Sequence, residues 1–277
     1  MSKKVPLAAV IGHPIAHSKS PILHGYWLKE YGLSGHYVPI DVDPGALREA
    51  FDALIRLGFK GTNVTVPHKE EAIALADEVS ARAEAIGAAN TITFGADGSV
   101  HADNTDGIGF LENLRQNNPN WRADAGPAAL LGAGGAARAV IAGLLDAGTP
   151  EIRLTNRSAD RALALAEIFG SKVVVVPWAN APDIFDGAAT AVNGTSLGMV
   201  GQPPIDISLD ALPATAVATD LVYTPLDTVF LQKARSQGCA TVDGLGMLLH
   251  QAAPGFERWF GYKPTVTDGL RDAVLAG

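Results

Sequence analysis

A glycine-rich turn between an apolar segment and a helical pattern is the feature that most constrains the fold of this chain. The apolar segment Pro127–Leu131 is followed by Gly132, Gly134 and Ala137 in the pattern G-x-G-x-x-A. Gly132 permits a tight turn, Gly134 lets a pyrophosphate approach the backbone, and the amides at the start of the helix face that anion. The pattern predicts a strand, a turn and a helix that bind a dinucleotide, with a glycine turn that binds nothing as the alternative.

The residues after the next predicted strand indicate which dinucleotide this turn would bind. In folds of this type that strand ends beside the adenine ribose, roughly 20 residues after the first glycine. Here Thr155 is followed by Asn156, Arg157 and Ser158, with Arg161 one turn later. A carboxylate would accept the 2'-hydroxyl of NAD, whereas the neutral asparagine can bond the ribose and the two arginines can bind a 2'-phosphate. The pattern therefore favours NADP(H), with two exposed helix arginines as the alternative.

Short apolar segments alternate with helical patterns along most of the 277 residues. This alternation predicts an α/β fold with mainly parallel strands, and the length is sufficient for two domains. The break at residues 116–120 separates a first group of strands from a second. The predicted strands are Leu7–Ile11, His36–Val42, Gly61–Val66, Ala89–Phe94 and Val100–Asp103, then Pro127–Leu131, Glu151–Thr155, Lys172–Val176, Thr190–Asn193, Val217–Leu221 and Ala240–Val242. Two further helices are predicted, at Met247–Trp259 and Leu270–Leu275.

Two proline-containing pairs predict helix starts in the first domain. Ser20 precedes Pro21, and Asp43 precedes Pro44. Serine and aspartate are preferred N-caps, and proline is favoured at the first helical position. We therefore expect helices to begin at these two pairs.

The composition narrows the functional class. The formal net charge of -8 disfavours nucleic acid and anionic membrane surfaces as partners, because both select clustered Lys and Arg. Cys239 is the single cysteine, so neither an intrachain disulfide nor a cysteine-based metal site is expected. The histidines lack metal-ligand spacing, and no metal is predicted. The N-terminus lacks a signal-type apolar segment, and no segment reaches the roughly 18 apolar residues of a membrane span. The sequence therefore predicts a cytoplasmic protein.

Polar side chains in the first domain concentrate where predicted strands end. They lie in the segments 12–21, 63–69 and 87–91, and in 104–107. Ligands of open α/β folds bind at the carboxyl ends of the strands. One cleft could therefore collect all of these groups.

These segments, together with the glycine turn, Asn156-Arg157-Ser158 and the stretch Asp243–Ala252, resemble the shikimate dehydrogenase family in family order over nearly the whole chain. The resemblance implies two α/β domains: an N-terminal mixed-sheet substrate domain, residues 1–106 plus about 247–277, and a Rossmann-like NADP-binding domain, residues 107–246. It also implies reversible NADP-linked reduction of 3-dehydroshikimate to shikimate, a step in aromatic amino acid biosynthesis, and a possible homodimer.

The resemblance also implies roles for individual residues of the first domain. Lys69 matches the catalytic lysine of the family and Asp106 matches its partner. An ammonium near the reacting ketone would stabilise negative charge on the oxygen and supply a proton. The implied substrate-binding residues are Ser18, Ser20, Asn63, Thr65, Lys69, Asn90, Asp106, Tyr223 and Gln251. Without the resemblance, Lys69 would be interpreted as a surface lysine, and Ser20 and Asp106 as helix caps.

A second group of residues is implied to bind NADP(H). Its members are Gly132, Ala133, Gly134, Gly135, Ala136, Asn156, Arg157, Ser158, Arg161, Thr195, Val222, Gly244 and Met247. Gly244 could also be a turn glycine, and Met247 a core methionine. One departure from the family pattern is Gly25, where asparagine is common after the histidine.

Other functions share parts of this pattern. A quinate and shikimate dehydrogenase that uses NAD is the nearest alternative, but an acidic residue at the position of Asn156 would be expected in it. A non-catalytic nucleotide-sensing module would have no use for Lys69 and Asp106 beside Ser18 and Ser20. A dehydrogenase acting on amino acids or folates would leave the two serines unexplained.

Overall fold

The structure is a computed structural model and describes residues 4–277, so Met1–Lys3 of the predicted first domain lie outside it. Contacts divide the chain into two compact units. The discontinuous unit comprises the residues up to Thr105 together with Leu249–Gly277, and the central unit comprises Asp106–Leu248. Within the described range, no helix is both long enough and apolar enough to span a membrane.

The discontinuous unit is built on a six-stranded mixed sheet. Its strands are β1 Leu7–Gly12, β2 His36–Asp41, β3 Gly61–Val64, β4 Glu78–Val79, β5 Thr91–Phe94 and β6 Val100–Asp103, and the order across the sheet is β2-β1-β3-β5-β6-β4. β1 pairs in parallel with β2 and β3, whereas β5 is antiparallel to both β3 and β6. The antiparallel pairing of β5 and β6 follows from their short connection, which includes Gly98 at φ +90°. The predicted mixed sheet is confirmed.

Six helices accompany this sheet. They are α1 Ser20–Glu30, α2 Leu47–Leu57, α3 Lys69–Ala74, α4 Ala81–Ile86, the C-terminal part of α9 Leu245–Phe260, and α10 Asp268–Ala276. α2 buries Leu47, Phe51 and Leu54 at helical spacing. These residues belong to a core that also contains Ile92 and Phe94 of the sheet. Burial of this apolar stripe stabilises α2 far more than its helix propensity does.

The two predicted caps are corrected by the structure. Lys19 occupies the N-cap of α1, and Ser20 is already helical, with Pro21 after it. Asp43 and Pro44 precede α2 as a turn, in which the Ala46 amide donates to the Asp43 carbonyl. A proline fixes only its own φ. The two proline-containing pairs therefore indicated the region where each helix begins but not its N-cap residue.

The central unit has the predicted Rossmann-like architecture. Its strands are β7 Ala128–Leu131, β8 Ile152–Thr155, β9 Val173–Val175, β10 Thr190–Asn193, β11 Val217–Asp220 and β12 Ala240–Val242, all in parallel pairs and in the order β12-β11-β10-β7-β8-β9. The order reverses between β7 and β10. A crevice forms at such a switch point, outside the carboxyl ends of the strands.

Helices pack against this sheet and enclose two apolar cores. The helices are α5 Asp106–Asn117, α6 Gly135–Asp146, α7 Ala159–Phe169, α8 Val229–Ser236 and the start of α9. One core contains Val140 and Leu144 of α6, and the other contains Phe230 of α8. Both faces of the parallel sheet are therefore buried, which explains why apolar residues predominate in its strands.

Several element boundaries differ from the sequence-based predictions. β3 ends at Val64 and not at Val66, and β5 begins at Thr91 and not at Ala89. The helix predicted at Met247–Trp259 begins at Leu245 and ends at Phe260. The strand β4 and the 3-10 segment Trp178–Phe185 were not predicted, because their apolar patterns are too short to identify.

A buried carboxylate ties three elements of the discontinuous unit together. Asp103 at the end of β6 is 5% exposed and accepts hydrogen bonds from Arg82 of α4 at 2.6 and 2.5 Å. Arg258 of α9 donates to it at 2.5 Å, and the Ser80 hydroxyl donates at 2.6 Å. Burial alone would raise the pKa of Asp103, but the bonds from Arg82, Ser80 and Arg258 outweigh burial and hold the pKa far below its usual range.

Candidate functional site

A polar network lies where β3, β5 and β6 meet α9. The Asn63 side-chain amide donates to the Asn90 carbonyl at 3.0 Å, and the Asn90 amide donates to Gln251 Oε1 at 3.2 Å. The Thr105 hydroxyl donates to the Gln251 carbonyl at 2.8 Å, and its backbone amide donates to Asn90 Oδ1 at 2.9 Å. The four side chains are 9% exposed or less. The structure thus brings together three residues that the sequence assigned to substrate binding.

The two predicted substrate serines lie at the start of α1. The Ser20 amide donates to Ser18 Oγ at 3.3 Å, which closes the turn before the helix. Ser20 is buried and Ser18 is half-buried. Since both hydroxyls are at a helix N-terminus, their surroundings favour a bound anion such as a carboxylate.

Thr65 and Lys69 follow β3 within one short turn. The Thr65 amide donates to the Ile11 carbonyl at 2.9 Å, so the turn remains attached to the interior strand β1. Lys69 is the first residue of α3 and is half-buried, and its carbonyl accepts from the Ala89 amide at 2.8 Å. The turn therefore keeps Thr65 and Lys69 at the same sheet edge as the polar network.

The central unit contains a cleft of about 210 Å³ at its topological switch point. The lining residues come from the ends of four strands and the turns that follow them: Gly132, Ala133, Gly134, Asn156, Arg157, Arg161, Trp178, Gly194, Thr195, Ser196 and Leu197. Seven of these were predicted to bind NADP(H). The cleft therefore collects the glycine turn and both arginines.

The glycines of the turn are needed for different reasons. Gly132 has φ +101°, and a Cβ added there would lie 2.9 Å from the Gly194 backbone. A Cβ added at Gly134 or Gly135 would meet no atom within 4 Å. Gly132 is thus required by the fold, whereas the absence of side chains at the other two keeps space open before the α6 N-terminus.

Asn156 organises the cleft with both ends of its amide. Its Oδ1 accepts from the Ala133 amide at 3.2 Å, and its Nδ2 donates to the Ser158 carbonyl at 2.9 Å. These bonds connect the glycine turn to the loop that carries Arg157. The predicted bond from Asn156 to a ribose stays a prediction.

Loops after β10 and β11 are held by a buried aspartate. Asp220 accepts from Asn193 Nδ2 at 2.9 Å, from the Val222 amide at 2.9 Å and from the Thr228 hydroxyl at 2.6 Å. Asn193 in turn accepts from the Thr195 amide and hydroxyl, at 3.0 and 2.7 Å. Burial raises the pKa of Asp220, and these bonds partly offset the rise. The aspartate thereby fixes the loops that carry Thr195 and Val222.

The remaining predicted residues all belong to the central unit. A Cβ at Gly244 would lie 2.6 Å from the Leu221 carbonyl, so this position requires glycine for close packing. Met247 is partly buried against the core of the unit, in agreement with the core interpretation. Asp106 is the first residue of α5, and Tyr223 follows β11 and is half-buried. The roles predicted for these four residues stay predictions.

Three residues around these sites had no role predicted from the sequence. Trp178 lines the cleft of the central unit, Tyr37 bonds Asn63, and Asp220 fixes two loops. Of the three, only Asp220 could have been identified from the sequence, because it is a charged residue at the end of a strand. Trp178 and Tyr37 look like ordinary core aromatics in the sequence. Within residues 4–277, no group of three or more His, Cys, Asp or Glu is arranged to hold a metal ion.

Comparison with known families gives two matches. Residues 10–92 match the family described as the shikimate dehydrogenase substrate binding domain. Residues 244–275 match the family described as the shikimate 5'-dehydrogenase C-terminal domain. The first match contains the serine turn, Thr65, Lys69 and Asn90, and the second contains Gln251.

Whole-chain comparisons agree. The shikimate dehydrogenase (NADP(+)) of Cereibacter sphaeroides is 63% identical over 273 residues, which cover 99% of this chain and 98% of the relative. A shikimate 5-dehydrogenase structure from Thermus thermophilus, in complex with NADP(H) and shikimate, has a TM-score of 0.87 at 39% identity, over 98% of this chain and 99% of that one. A quinate dehydrogenase from Corynebacterium glutamicum in complex with NAD has a TM-score of 0.91 at 31% identity, over 99% of this chain and 100% of that one. This chain belongs to the shikimate dehydrogenase family.

Proposed function

We propose that the protein catalyses the reversible NADPH-dependent reduction of 3-dehydroshikimate to shikimate. The observation that carries the proposal is the polar network of Asn63, Asn90 and Gln251, beside the turns that hold Ser18, Ser20, Thr65 and Lys69. Neutral hydroxyls and amides in buried positions suit a small polyhydroxylated carboxylate. They also discriminate against substrates without matching hydroxyls, since the buried groups would then be left unpaired.

The substrate carboxylate is assigned to the Ser18 and Ser20 hydroxyls at the N-terminus of α1. The ring hydroxyls are assigned to Asn63, Thr65, Asn90 and Gln251. The family resemblance adds Tyr223 and Asp106 to the assigned set. The existing bonds among Asn63, Asn90 and Gln251 support this assignment, because they fix the amides before substrate arrives and reduce the ordering cost of binding.

Lys69 is assigned the proton transfer at the substrate C3 oxygen. During reduction of the ketone, negative charge grows on this oxygen, and the ammonium stabilises that charge and donates a proton to it. In the direction of shikimate oxidation, the neutral amine accepts the hydroxyl proton. Asp106 is assigned to bind the neighbouring hydroxyl. It directly follows Thr105, whose amide bonds Asn90.

The cleft of the central unit fits a dinucleotide phosphate. The open space before Gly134 and Gly135 accommodates a pyrophosphate against the α6 N-terminus, and Arg157 and Arg161 supply positive charge for a 2'-phosphate. When bound, NADPH supplies the hydride. Thr195, Val222, Gly244 and Met247 are assigned to its nicotinamide end. The arginines are the feature that favours NADP over the NAD of the quinate dehydrogenase structure.

The direct test follows nicotinamide absorbance with the purified protein. Shikimate and quinate are each combined with NADP+ and with NAD+. We expect turnover with shikimate and NADP+ to exceed every other pair. Preference for quinate or NAD+ would assign the chain to the quinate dehydrogenase activity, and absence of turnover with all four pairs would refute the catalytic proposal.

Removal of both cleft arginines should change the cofactor preference. Each charge-assisted bond to a phosphate contributes about 1.5–3 kcal/mol, so Arg157→Ala with Arg161→Ala should raise the KM for NADP+ at least about 100-fold. The KM for NAD+ should change little, since NAD+ lacks the 2'-phosphate. Arg122→Ala, at an exposed ion pair of the same unit, serves as the control. An equal rise in both KM values would contradict the assigned role.

Two glycine substitutions should separate fold from cofactor binding. Gly132→Ala places a Cβ against the Gly194 backbone at φ +101° and should destabilise the protein by about 1–3 kcal/mol. Gly134→Ala meets no protein atom within 4 Å, so the unfolding temperature should be unchanged while the KM for NADP+ rises. Thermal unfolding and steady-state kinetics measure both effects. Normal NADP+ affinity in Gly134→Ala would refute the pyrophosphate assignment.

Cytoplasmic location and a homodimeric state complete the proposal. The single cysteine, Cys239, is buried and unpaired, as suits a reducing compartment. The dimer rests on the family resemblance. Light scattering of the purified protein measures its mass in solution, and a mass equal to one chain would contradict the dimer.

A further inference from the structure

A buried histidine and a buried tyrosine lie beside the polar network of the discontinuous unit. His24 of α1 is 0% exposed, and its ring stacks on Tyr37 of β2, with centroids 3.8 Å apart and planes at 7°. Trp27, Phe256 and Trp259 surround the histidine, each with a ring centroid at 5.8 Å. Aromatic rings therefore enclose the stack and restrict its movement.

The histidine ring is electrically neutral. Burial lowers the pKa of His24 to about 3, and a contact with Asn63 offsets only part of this change. Neither ring nitrogen makes a hydrogen bond of normal geometry. His24 therefore contributes a flat, uncharged surface and no strong polar contact to its neighbours.

The tyrosine hydroxyl connects two residues assigned to the substrate. Tyr37 Oη donates to Asn63 Oδ1 at 2.6 Å, and the Ser20 side chain also lies within hydrogen-bonding reach of this hydroxyl. Burial raises the pKa of Tyr37 well above its usual value, and the bond with Ser20 offsets this only in part. The hydroxyl consequently stays protonated at every physiological pH, so it can always donate a hydrogen bond.

The orientation of the Asn63 amide follows from its two neighbours. The Asn90 carbonyl can only accept a hydrogen bond, so the group that faces it at 3.0 Å must be the Asn63 NH₂. Oδ1 then faces Tyr37. The contact of Nδ2 with Thr91 Oγ1 is 3.4 Å, which is long for a hydrogen bond, so Tyr37 and the Asn90 carbonyl are the two strong constraints on the amide.

We propose that Tyr37, held by its stack on His24, is a positioning residue that fixes the Asn63 amide for substrate binding. Tyr37 acts through Asn63, and His24 acts through Tyr37. The inference rests on the proposed function and adds two residues to it. Removal of the hydroxyl leaves Asn63 Oδ1 buried without its donor, so the amide would rotate or recruit another donor and lose its alignment with the substrate.

Tyr37→Phe tests this inference directly, because it removes one hydroxyl and keeps the ring that stacks on His24. We expect the KM for shikimate to rise about tenfold, which corresponds to the loss of one buried hydrogen bond. The kcat and the KM for NADP+ should change by less than about twofold, because Tyr37 lies in the discontinuous unit and the nucleotide cleft in the central one. Isothermal titration with shikimate should give the same loss of affinity.

Tyr31→Phe is the matched control. Its hydroxyl accepts from the Thr265 amide at 3.0 Å in the same unit, outside the polar network. This variant also loses one tyrosine hydroxyl bond, but an exposed one, so a smaller decrease in unfolding temperature is expected. Its KM for shikimate should remain that of the wild type, which separates positioning from general stability.

Two substitutions of His24 test the stack itself. His24→Phe keeps an aromatic plane against Tyr37 and removes both nitrogens, so its KM for shikimate should stay within about threefold of the wild type. His24→Leu removes the plane and should raise this KM in the same direction as Tyr37→Phe. If His24→Phe raised the KM as much as His24→Leu, the stacking role of His24 would be wrong.

The outcomes distinguish this inference from the proposed function. If the wild-type protein neither binds nor oxidises shikimate, the proposed function fails, and the inference fails with it. If the wild type is active and Tyr37→Phe keeps the wild-type KM for shikimate, only the inference is overturned. A lower unfolding temperature of Tyr37→Phe with unchanged KM and kcat would assign the hydroxyl to stability alone and would also overturn it.

Discussion

Lys69→Met should lower kcat for shikimate oxidation by about 10³-fold while the protein remains folded and binds NADP+ normally. Methionine keeps the length of the side chain but can neither stabilise charge on the C3 oxygen nor transfer its proton. Positioned proton transfer contributes about 10²–10⁴-fold, and stabilisation of a developing oxyanion contributes a comparable factor. The reduction of 3-dehydroshikimate should decrease equally, because the same group acts in both directions.

Steady-state absorbance and circular dichroism measure the activity and the folding of this variant. Lys29→Met is the matched control, since Lys29 is an exposed lysine in the last turn of α1. Its kinetic constants should equal those of the wild type. A folded Lys69→Met protein with kcat within about tenfold of the wild type would remove Lys69 from the chemical step.

Asp103→Asn should cause the largest loss of stability among single substitutions of polar residues in the discontinuous unit. The carboxylate is 5% exposed and holds Arg82 and Arg258, which would then face a neutral amide. Breaking a buried ion pair costs about 3–5 kcal/mol, but both arginines are over a third exposed and recover some hydration. We therefore expect a loss of about 2–4 kcal/mol, measured by urea unfolding near neutral pH.

The pH dependence of this loss has a definite sign. The pKa of Asp103 is lowered by folding, so its contribution is fully present above the ordinary aspartate pKa of about 3.9. The contribution decreases as the pH falls from that value towards the lower pKa of the folded state. The stability difference between wild type and Asp103→Asn should therefore shrink in acid. Asp124→Asn, at an exposed pair with Arg122, should show no measurable loss at any of these pH values. A difference for Asp103→Asn that grew in acid would contradict the assigned ionisation.

Sequence patterns predicted much of the fold, because in many elements the local pattern of apolar residues matches the face that is buried in the tertiary structure. The strand before Gly132 and the helix after it are both apolar on their buried sides, so β7 and α6 are present as expected. The two strands on either side of Gly98 were predicted for the same reason. The helix starts at Ser20 and Asp43 were less accurate, because capping depends on backbone angles that the proline does not determine.

The candidate site, like the fold, could be predicted from the sequence only in part. Ser18, Thr65 and Arg157 lie in short loops after strands, and Lys69 begins the helix that follows one, so the sequence order alone assigns each of them to the carboxyl edge of its own sheet. Asn156 was predicted to bind a ribose, yet its amide holds the Ala133 turn, a contact across 23 residues. Residue type indicated a hydrogen-bonding group, but the partner could be identified only from the folded backbone.

The sequence by itself determined the α/β architecture, the dinucleotide turn and the polar character of the strand ends, because periodicity and glycine requirements are local properties of the chain. Only the tertiary structure decided which buried groups meet. Tyr37 reaches Asn63 across 26 residues, and Arg258 reaches Asp103 across 155. Such pairs leave no pattern in the sequence, since each side chain alone resembles an ordinary core or surface residue. Their energies depend on distance and on exclusion of water, and both exist only after the sheet has formed.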